Sequence, residues 1–491
     1  MLLCILGSLG ISLFYALFFI DLFPLAEFRD WIADSMSIDQ FLASLKRVIL
    51  RDTLFDRHLS ICFSRFAGLV GDKDIRVVNL VMLMPITGSC VFLYILSRQL
   101  KLSSLMSLVG LLLWGFSLPV IDAVAWQATS HDRLALFFAL PAINVTIAFS
   151  RRRLSAGNLV SANLLILVCV VGAYNSKLSS LFLVPSLMLF VTACSEGGVG
   201  QRLSRLLLLV LPMAYGAFHN ARYFYILSYS QGSSDHVMGR SFSNWNLIPS
   251  LNYALGYDSQ KKSALCIVVA AGLLMILFIS VILKRKRKGG THQALRLPYI
   301  MWLCITFFMA TFITFFTRYS TAYYQYIPRV FLVLLILQVI AFFFECLGPG
   351  RIPAISASLV SVALLAGSLL LFFYCFFPDY RVRSEISQNF IASFPEVRAH
   401  VDPHGDSPIT LVTSAPAWRI YLFYGGSRRA LLRYIFGDEA VAHLPWDESM
   451  QGRADVKEEE WESSSEERGY QLCYDSTLTL AAIYHNGKKI L

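Results

Sequence analysis

The chain has 491 residues, 56% of them hydrophobic and only 15% charged, with a formal net charge of +10. Soluble domains carry roughly 45–50% apolar and about 25% charged residues, so this composition excludes an ordinary water-soluble globule. The excess positive charge sits in short links between apolar runs, which argues for membrane-loop bias and against a nucleic-acid surface.

Runs of about 20 apolar residues are the length that crosses a bilayer core. Residues 2–20 form the first; with no basic start and no clear small-residue cleavage site, they read as a retained span. Further spans are predicted near 76–97, 103–125, 132–149, 158–174, 178–194, 203–219, 263–283, 297–317, 328–347 and 353–376, eleven in all. If the N-terminus is cytoplasmic, the inner links hold Arg98 and Lys101, Arg151 to Arg153, Arg202 and Arg205, Lys284 to Lys288, and Arg351. The inverted arrangement would export the Lys284–Lys288 run, against the positive-inside bias. The outer segments are then 21–75, short turns near 126–131 and 175–177, the loop 220–262, the turn 318–327 and the tail.

The first outer loop opens with Asp21, Glu27 and Asp30 and continues into two amphipathic helices. Ile38, Leu42, Leu45 and Ile49 share one face of the first, near 37–51; Leu59, Phe63, Phe66 and Val70 share one face of the second, near 57–70. Such helices suit the headgroup layer. A plain connecting loop is the alternative.

The predicted division is a membrane domain over 1–377 and an extracytoplasmic soluble domain over 378–491. In the tail, Leu411-Val412, Ile420–Tyr424, Tyr470–Tyr474 and Leu478–Leu491 read as strands, with Asn486-Gly487 as a hairpin signal. Glu458–Glu467 is a solvated run, and the whole reads as a small mixed α/β unit. Eight of the ten cysteines lie in apolar runs. Cys62 and Cys473 fall outside them and could pair in an oxidising compartment, but two cysteines make no disulfide framework. No Cys or His cluster proposes a metal.

Polar residues gather at the outer mouths of the spans: Asp21, Asp30, His131-Asp132-Arg133, Lys177, His219, Arg222, Arg318-Tyr319 and Tyr323–Arg329. A carboxylate there can act as general base toward an acceptor hydroxyl or amine. Arg and Lys can hold a phosphate, which at this position is most simply that of a lipid. For His131-Asp132-Arg133, a helix cap with local ion pairs is an equal alternative. Tyr326 and its aromatic neighbours could stack on sugar or serve only as interface anchors.

Arg57-His58-Leu59-Ser60, Phe63-Ser64-Arg65-Phe66-Ala67-Gly68-Leu69-Val70-Gly71, Ile75–Leu80 and Tyr94–Leu100 together resemble the GT-C superfamily of integral membrane glycosyltransferases. Bacterial aminoarabinose and protein-mannose transferases have a similar run, and O-antigen glucosyltransferases a similar layout. The resemblance lies mostly in residues 1–150; Arg318-Tyr319 and Tyr326–Arg329 resemble the entry of a late family helix. It implies a polyprenyl-phosphate sugar donor, inversion at the anomeric carbon, and a glycan, lipid or protein acceptor, with no nucleotide sugar, metal or other cofactor. It implies Asp21 as catalytic base, with Asp30 second. The expected substrate-binding set is His58, His131, Asp132, Arg133, Lys177, Arg222, Arg318, Tyr319, Tyr326 and Arg329. The implied location is a bacterial inner membrane with the tail in the periplasm. Two departures stand out: the acidic doublet after the first span is absent, as is the Pro-Pro pair after the loop histidine. A lipid-glycan flippase, a glycan polymerase or ligase, and an anchor for the tail are the competing readings.

Overall fold

The computed structural model describes residues 2–20, 58–71, 74–125, 129–151, 155–195, 198–229, 296–312, 322–347, 351–402, 409–414, 450–453 and 469–491, with isolated positions at 39, 42, 253–254 and 435. The helices, in chain order, begin with α1 (Leu2–Phe19), α2 (His58–Gly71), α3 (Ile75–Gln99), α4 (Ser104–Gly115) and α5 (Leu118–Ala125). Next come α6 (Ser130–Ser150), α7 (Ala156–Tyr174), α8 (Leu183–Cys194), α9 (Val199–Arg205) and α10 (Val210–Tyr229). The set ends with α11 (Arg296–Phe312), α12 (Tyr326–Leu347), α13 (Arg351–Leu371), α14 (Phe377–Ala392) and α15 (Phe394–His400).

This is a polytopic α-helical membrane protein. Among the described residues six helices are long and apolar enough to cross a bilayer, and seven if α4 and α5 count as one bent span. Residues 180–194 and α11 are shorter apolar helices; the predicted span at 203–219 falls on the end of α9, a 3-10 turn at Leu206–Leu209 and the start of α10, and the one at 263–283 lies outside the described residues. Local chemistry sets several starts. Asp74, Ser103 and Ser155 accept from the backbone N–H of Arg76, Met106 and Asn158, capping α3, α4 and α7. The predicted single span 103–125 is broken by 50° after Gly115. The reason is local: Pro119 has no N–H to donate to the Gly115 carbonyl four residues back and its ring crowds that carbonyl, whereas the first turn of a new helix accepts it.

Helix α6 is the axis of the bundle, packed between α3 and α7. Gly172 of α7 lets it come close, since a Cβ there would stand 2.6 Å from the Phe138 ring. Small residues play this role where lipid supplies no hydrophobic drive for helix association.

The two ends of the bundle differ in charge. At one end Arg296 forks onto Glu345 through two 2.6 Å bonds and donates to Gln338 Oε1 at 2.8 Å. Its Nη2 also reaches the Lys101 carbonyl, and Gln338 Nε2 donates to the Leu100 carbonyl at 2.7 Å. Arg98, Arg151, Arg202 and Arg351 belong to the same end, as the loop charges predict.

The opposite end carries the tail. A π-helical turn at Phe372–Phe376 joins α13 to α14, so the rod from 352 to 400 runs out of the bundle without interruption through the 377/378 junction. Strands β1 (Ile409–Thr413), β2 (Met450–Arg453), β3 (Tyr470–Tyr474), β4 (Leu480–His485) and β5 (Lys488–Lys489) form one sheet in the order β2-β1-β3-β4-β5. Its first three members pair in parallel, and β3-β4-β5 is an antiparallel meander. The hairpin signal is met: Asn486 and Gly487 both take positive φ, 48° and 78°, as a two-residue turn requires. Strand β2 has no counterpart among the predicted strands, and Ile420–Tyr424 and the acidic run lie outside the described residues.

The tail is not packed by itself. One apolar core joins Ile386, Phe390 and Phe394 of the rod and Leu411, Leu472 and Ile483 of the sheet to Ala67 of α2 and Val78, Val81 and Met82 of α3. Helix α2 presents Ser60, Ser64 and Ala67 inward, all fully buried, while Phe66 and Val70 stay exposed. The predicted apolar face is thus divided: its small-residue neighbours seat the helix, and its outer half is left toward the surroundings. Cys62 and Cys473 are free and do not pair; one lies on α2 and the other is buried in β3.

Candidate functional site

At the tail end Asp132 is a deeply buried charged group, 1% exposed in the first turn of α6. Lys177 forms an ion pair with its Oδ1. His131 Nε2 lies 3.2 Å from Oδ2. Lys177 also sits 5.0 Å from the centroid of the Tyr324 ring, which contributes cation–π attraction. Arg133, equally buried, donates to the Met82 carbonyl at 3.1 Å. Met82 belongs to the tail core, so that core also holds the acceptor that orients Arg133.

The loop bearing Lys177 is fixed on several sides. Lys177 N–H donates to the Ala173 carbonyl, and the Asn175 carbonyl accepts from Leu59 N–H at 3.0 Å. Asn175 Nδ2 donates to Tyr215 Oη at 2.9 Å, and Ser176 Oγ to the Gly172 carbonyl at 2.7 Å. Taking two charges out of water costs several kcal/mol each, roughly, so such a pair persists only with good geometry and held partners. No group of three or more His, Cys, Asp or Glu among the described residues is arranged to hold a metal.

Tyr326 opens α12 beside this cluster. It is fully buried, its ring 5.4 Å from that of Trp114, whose indole N–H donates to the Tyr326 carbonyl. One turn along, Arg329 donates from Nη1 to the Ala254 carbonyl at 2.5 Å. Arg329 lines a cavity of about 410 Å³ formed by the α4–α5 bend at Phe116 and Leu118 and by Leu364, Gly367 and Leu371 of α13. The outer side of α13 is apolar and exposed, with Ile352 79% and Leu359 64% accessible. The cavity therefore lies between the bundle and a lipid-facing helix, with a guanidinium on its wall.

Of the residues predicted from sequence, His131, Asp132, Arg133, Lys177, Tyr326 and Arg329 lie at the same end of the bundle, and the first four form one buried cluster with Tyr324. Asp21, Asp30, Arg318 and Tyr319 fall outside the described residues, as do the side chains of His58 and Arg222. The outer end of α1 is described, however. Asn79 Nδ2 donates to the Ile20 carbonyl and Ser384 Oγ to the Phe18 carbonyl, both at 2.7 Å, so α3 and α14 hold the end of α1. Sequence reasoning passed over Asp122, whose carboxylate accepts from the Tyr380 hydroxyl at 2.7 Å. The available signal was one carboxylate inside a predicted apolar run.

No protein-family model matches the chain, and no curated protein matches it. Among solved structures it is similar to the oligosaccharyltransferase of Archaeoglobus fulgidus in the apo form, at 10% identity and a TM-score of 0.44. That similarity covers 87% of this chain and 63% of the other, so this chain spans less than two thirds of the archaeal protein. It is also similar to ArnT from Cupriavidus metallidurans bound to undecaprenyl phosphate, at 10% identity and a TM-score of 0.42, over 99% of this chain and 97% of that one.

Proposed function

We propose that this protein is a GT-C-type glycosyltransferase that moves a sugar from a polyprenyl-phosphate donor to a glycan, lipid or protein acceptor at the extracytoplasmic face. The observation that carries the reading is the cavity beside Arg329: largely apolar on the α13 side, cationic at its wall, and at the same end of the bundle as the buried Asp–Lys pair. A lipid phosphate has that same division of character. Its tail fits against apolar helix surface, and its phosphate favours a guanidinium fork.

In the proposed step, the carboxylate of Asp21, or of Asp30, takes the proton of the acceptor hydroxyl or amine as general base. The acceptor atom attacks the anomeric carbon, the carbon–oxygen bond to phosphate breaks, and the lipid phosphate leaves as an anion with inversion at carbon. Arg329 stabilises the charge that develops on the leaving phosphate, with Arg222 and Arg318 as further candidate partners. Lys177 is already neutralised by Asp132, so its part is to hold that carboxylate in place. The preferred setting is a bacterial inner membrane with the tail in the periplasm.

The test is a comparison, by mass, of membrane glycans with and without the protein, followed by transfer from a defined polyprenyl-phosphate sugar. Asp21→Asn or Asp30→Asn is expected to abolish transfer while insertion is unchanged; full activity in both removes the proposed base. Among the described residues, the broken α4–α5 pair favours a flippase, since broken spans often line transport sites. Movement of the lipid with no covalent change would support that reading instead.

A further inference from the structure

The last carbonyls of a helix have no partner within it, and α1 ends two residues before Asp21 in the sequence. Side chains supply those partners. Ser384 of α14 donates to Phe18 and Asn79 of α3 donates to Ile20, the residue before Asp21. One turn before Ser384 on α14, Tyr380 is buried and donates to Asp122 Oδ1 at 2.7 Å, its ring covered by the Arg383 guanidinium at 4.7 Å. Asp122 is on the half-span α5, which packs against the turn Ala322–Gln325 that carries Tyr324 onto Lys177. Helix α14 therefore grips the exit of α1 with one hydroxyl and the half-span beside the site with another.

We infer that Tyr380 and Asp122 are positioning residues: their hydrogen bond makes the helix leaving the membrane a clamp that holds the exit of α1 and α5 in register. As an account of catalysis this rests on the transfer reading above; as an account of the frame it does not. It gives the tail a part in that frame, because α14 is also the first element of the tail core.

The experiment is amide hydrogen exchange on the full chain in nanodiscs, read over 14–20 and 118–125, alongside steady-state transfer kinetics. Tyr380→Phe and Asp122→Leu are expected to speed exchange in both segments by about tenfold, the scale of one lost hydrogen bond to a charged group. Asp122→Asn keeps an accepting oxygen and is expected to restore most of the protection lost in Asp122→Leu. In the transfer assay, Tyr380→Phe lowers kcat by about tenfold and leaves KM for the lipid donor unchanged, as misplacement of a reacting group requires. Unaltered exchange in Tyr380→Phe, or Asp122→Asn as exposed as Asp122→Leu, overturns the clamp. If the wild type transfers no sugar, the exchange arm still decides the clamp, and only the transfer reading falls.

Discussion

Asp132 and Lys177 are 45 residues apart in sequence and form a buried ion pair across the start of α6 and the loop after α7. Removing one partner strands the other charge away from water. Lys177→Met or Asp132→Asn is therefore expected to lower stability, Lys177→Met by about 3–5 kcal/mol. The double variant Asp132→Leu/Lys177→Met is expected to lose less than Lys177→Met alone. Thermal melts in detergent with a double-mutant cycle measure this; simple additivity would show that the two residues do not act as a pair.

Arg329 contributes a guanidinium to a cavity whose other described walls are largely apolar. Arg329→Leu should weaken binding of a polyprenyl phosphate by about 10–100-fold, and Arg329→Lys by less, because an ammonium keeps the charge without the fork. The matching uncharged polyprenol should bind wild type and variants alike. Equal phosphate affinity in all three proteins would remove Arg329 from the site.

Burial in β3 pushes the Cys473 thiol up to about 12, with a weaker opposing pull from Gln471. An unfolded cysteine ionises near 8.5, so above that pH the unfolded chain loses this proton before the folded one does. The contribution of Cys473 is thus complete below about pH 8.5 and declines as pH rises, by at most about 1.4 kcal/mol per unit until the folded thiol ionises. Cys473→Ala should flatten the alkaline limb of a stability–pH curve. In the folded protein the thiol should resist maleimide at pH 8; rapid labelling would contradict its placement.

The Arg296–Glu345–Gln338 network ties α11 and α12 to the turn after α3 at the basic end. Arg296→Met leaves Gln338 Oε1 and the Lys101 carbonyl without this donor and is expected to cost about 2–3 kcal/mol. Glu345→Gln should cost less, about 1 kcal/mol, because the Glu345 side chain is 41% exposed and its charge is partly solvated. Equal losses would indicate that the ion pair, and not the bonds to Gln338 and Lys101, dominates.

How much of this was legible beforehand follows from the range of each interaction. Helical spans, the charge asymmetry of the two ends and the Asn486-Gly487 hairpin depend on residues within one turn or one run of each other, and they were read directly. The break of the third predicted span was also local, signalled by Pro119, yet apolar content alone hid it. Asp122 was passed over for the same reason. Clustering of His131, Asp132 and Arg133 is visible as adjacency, but Lys177, which pairs with Asp132, and Tyr324, which lies against Lys177, arrive only through packing.

By itself, then, the amino-acid order determined that this chain lives in a membrane, which end of the bundle is basic and where polar chemistry gathers, because bilayer insertion responds to local hydrophobicity and charge. Only the tertiary structure decided that the tail shares its core with α2 and α3, and that α14 holds both the exit of α1 and Asp122. Those contacts join residues hundreds of positions apart, and no periodicity within either segment records its partner.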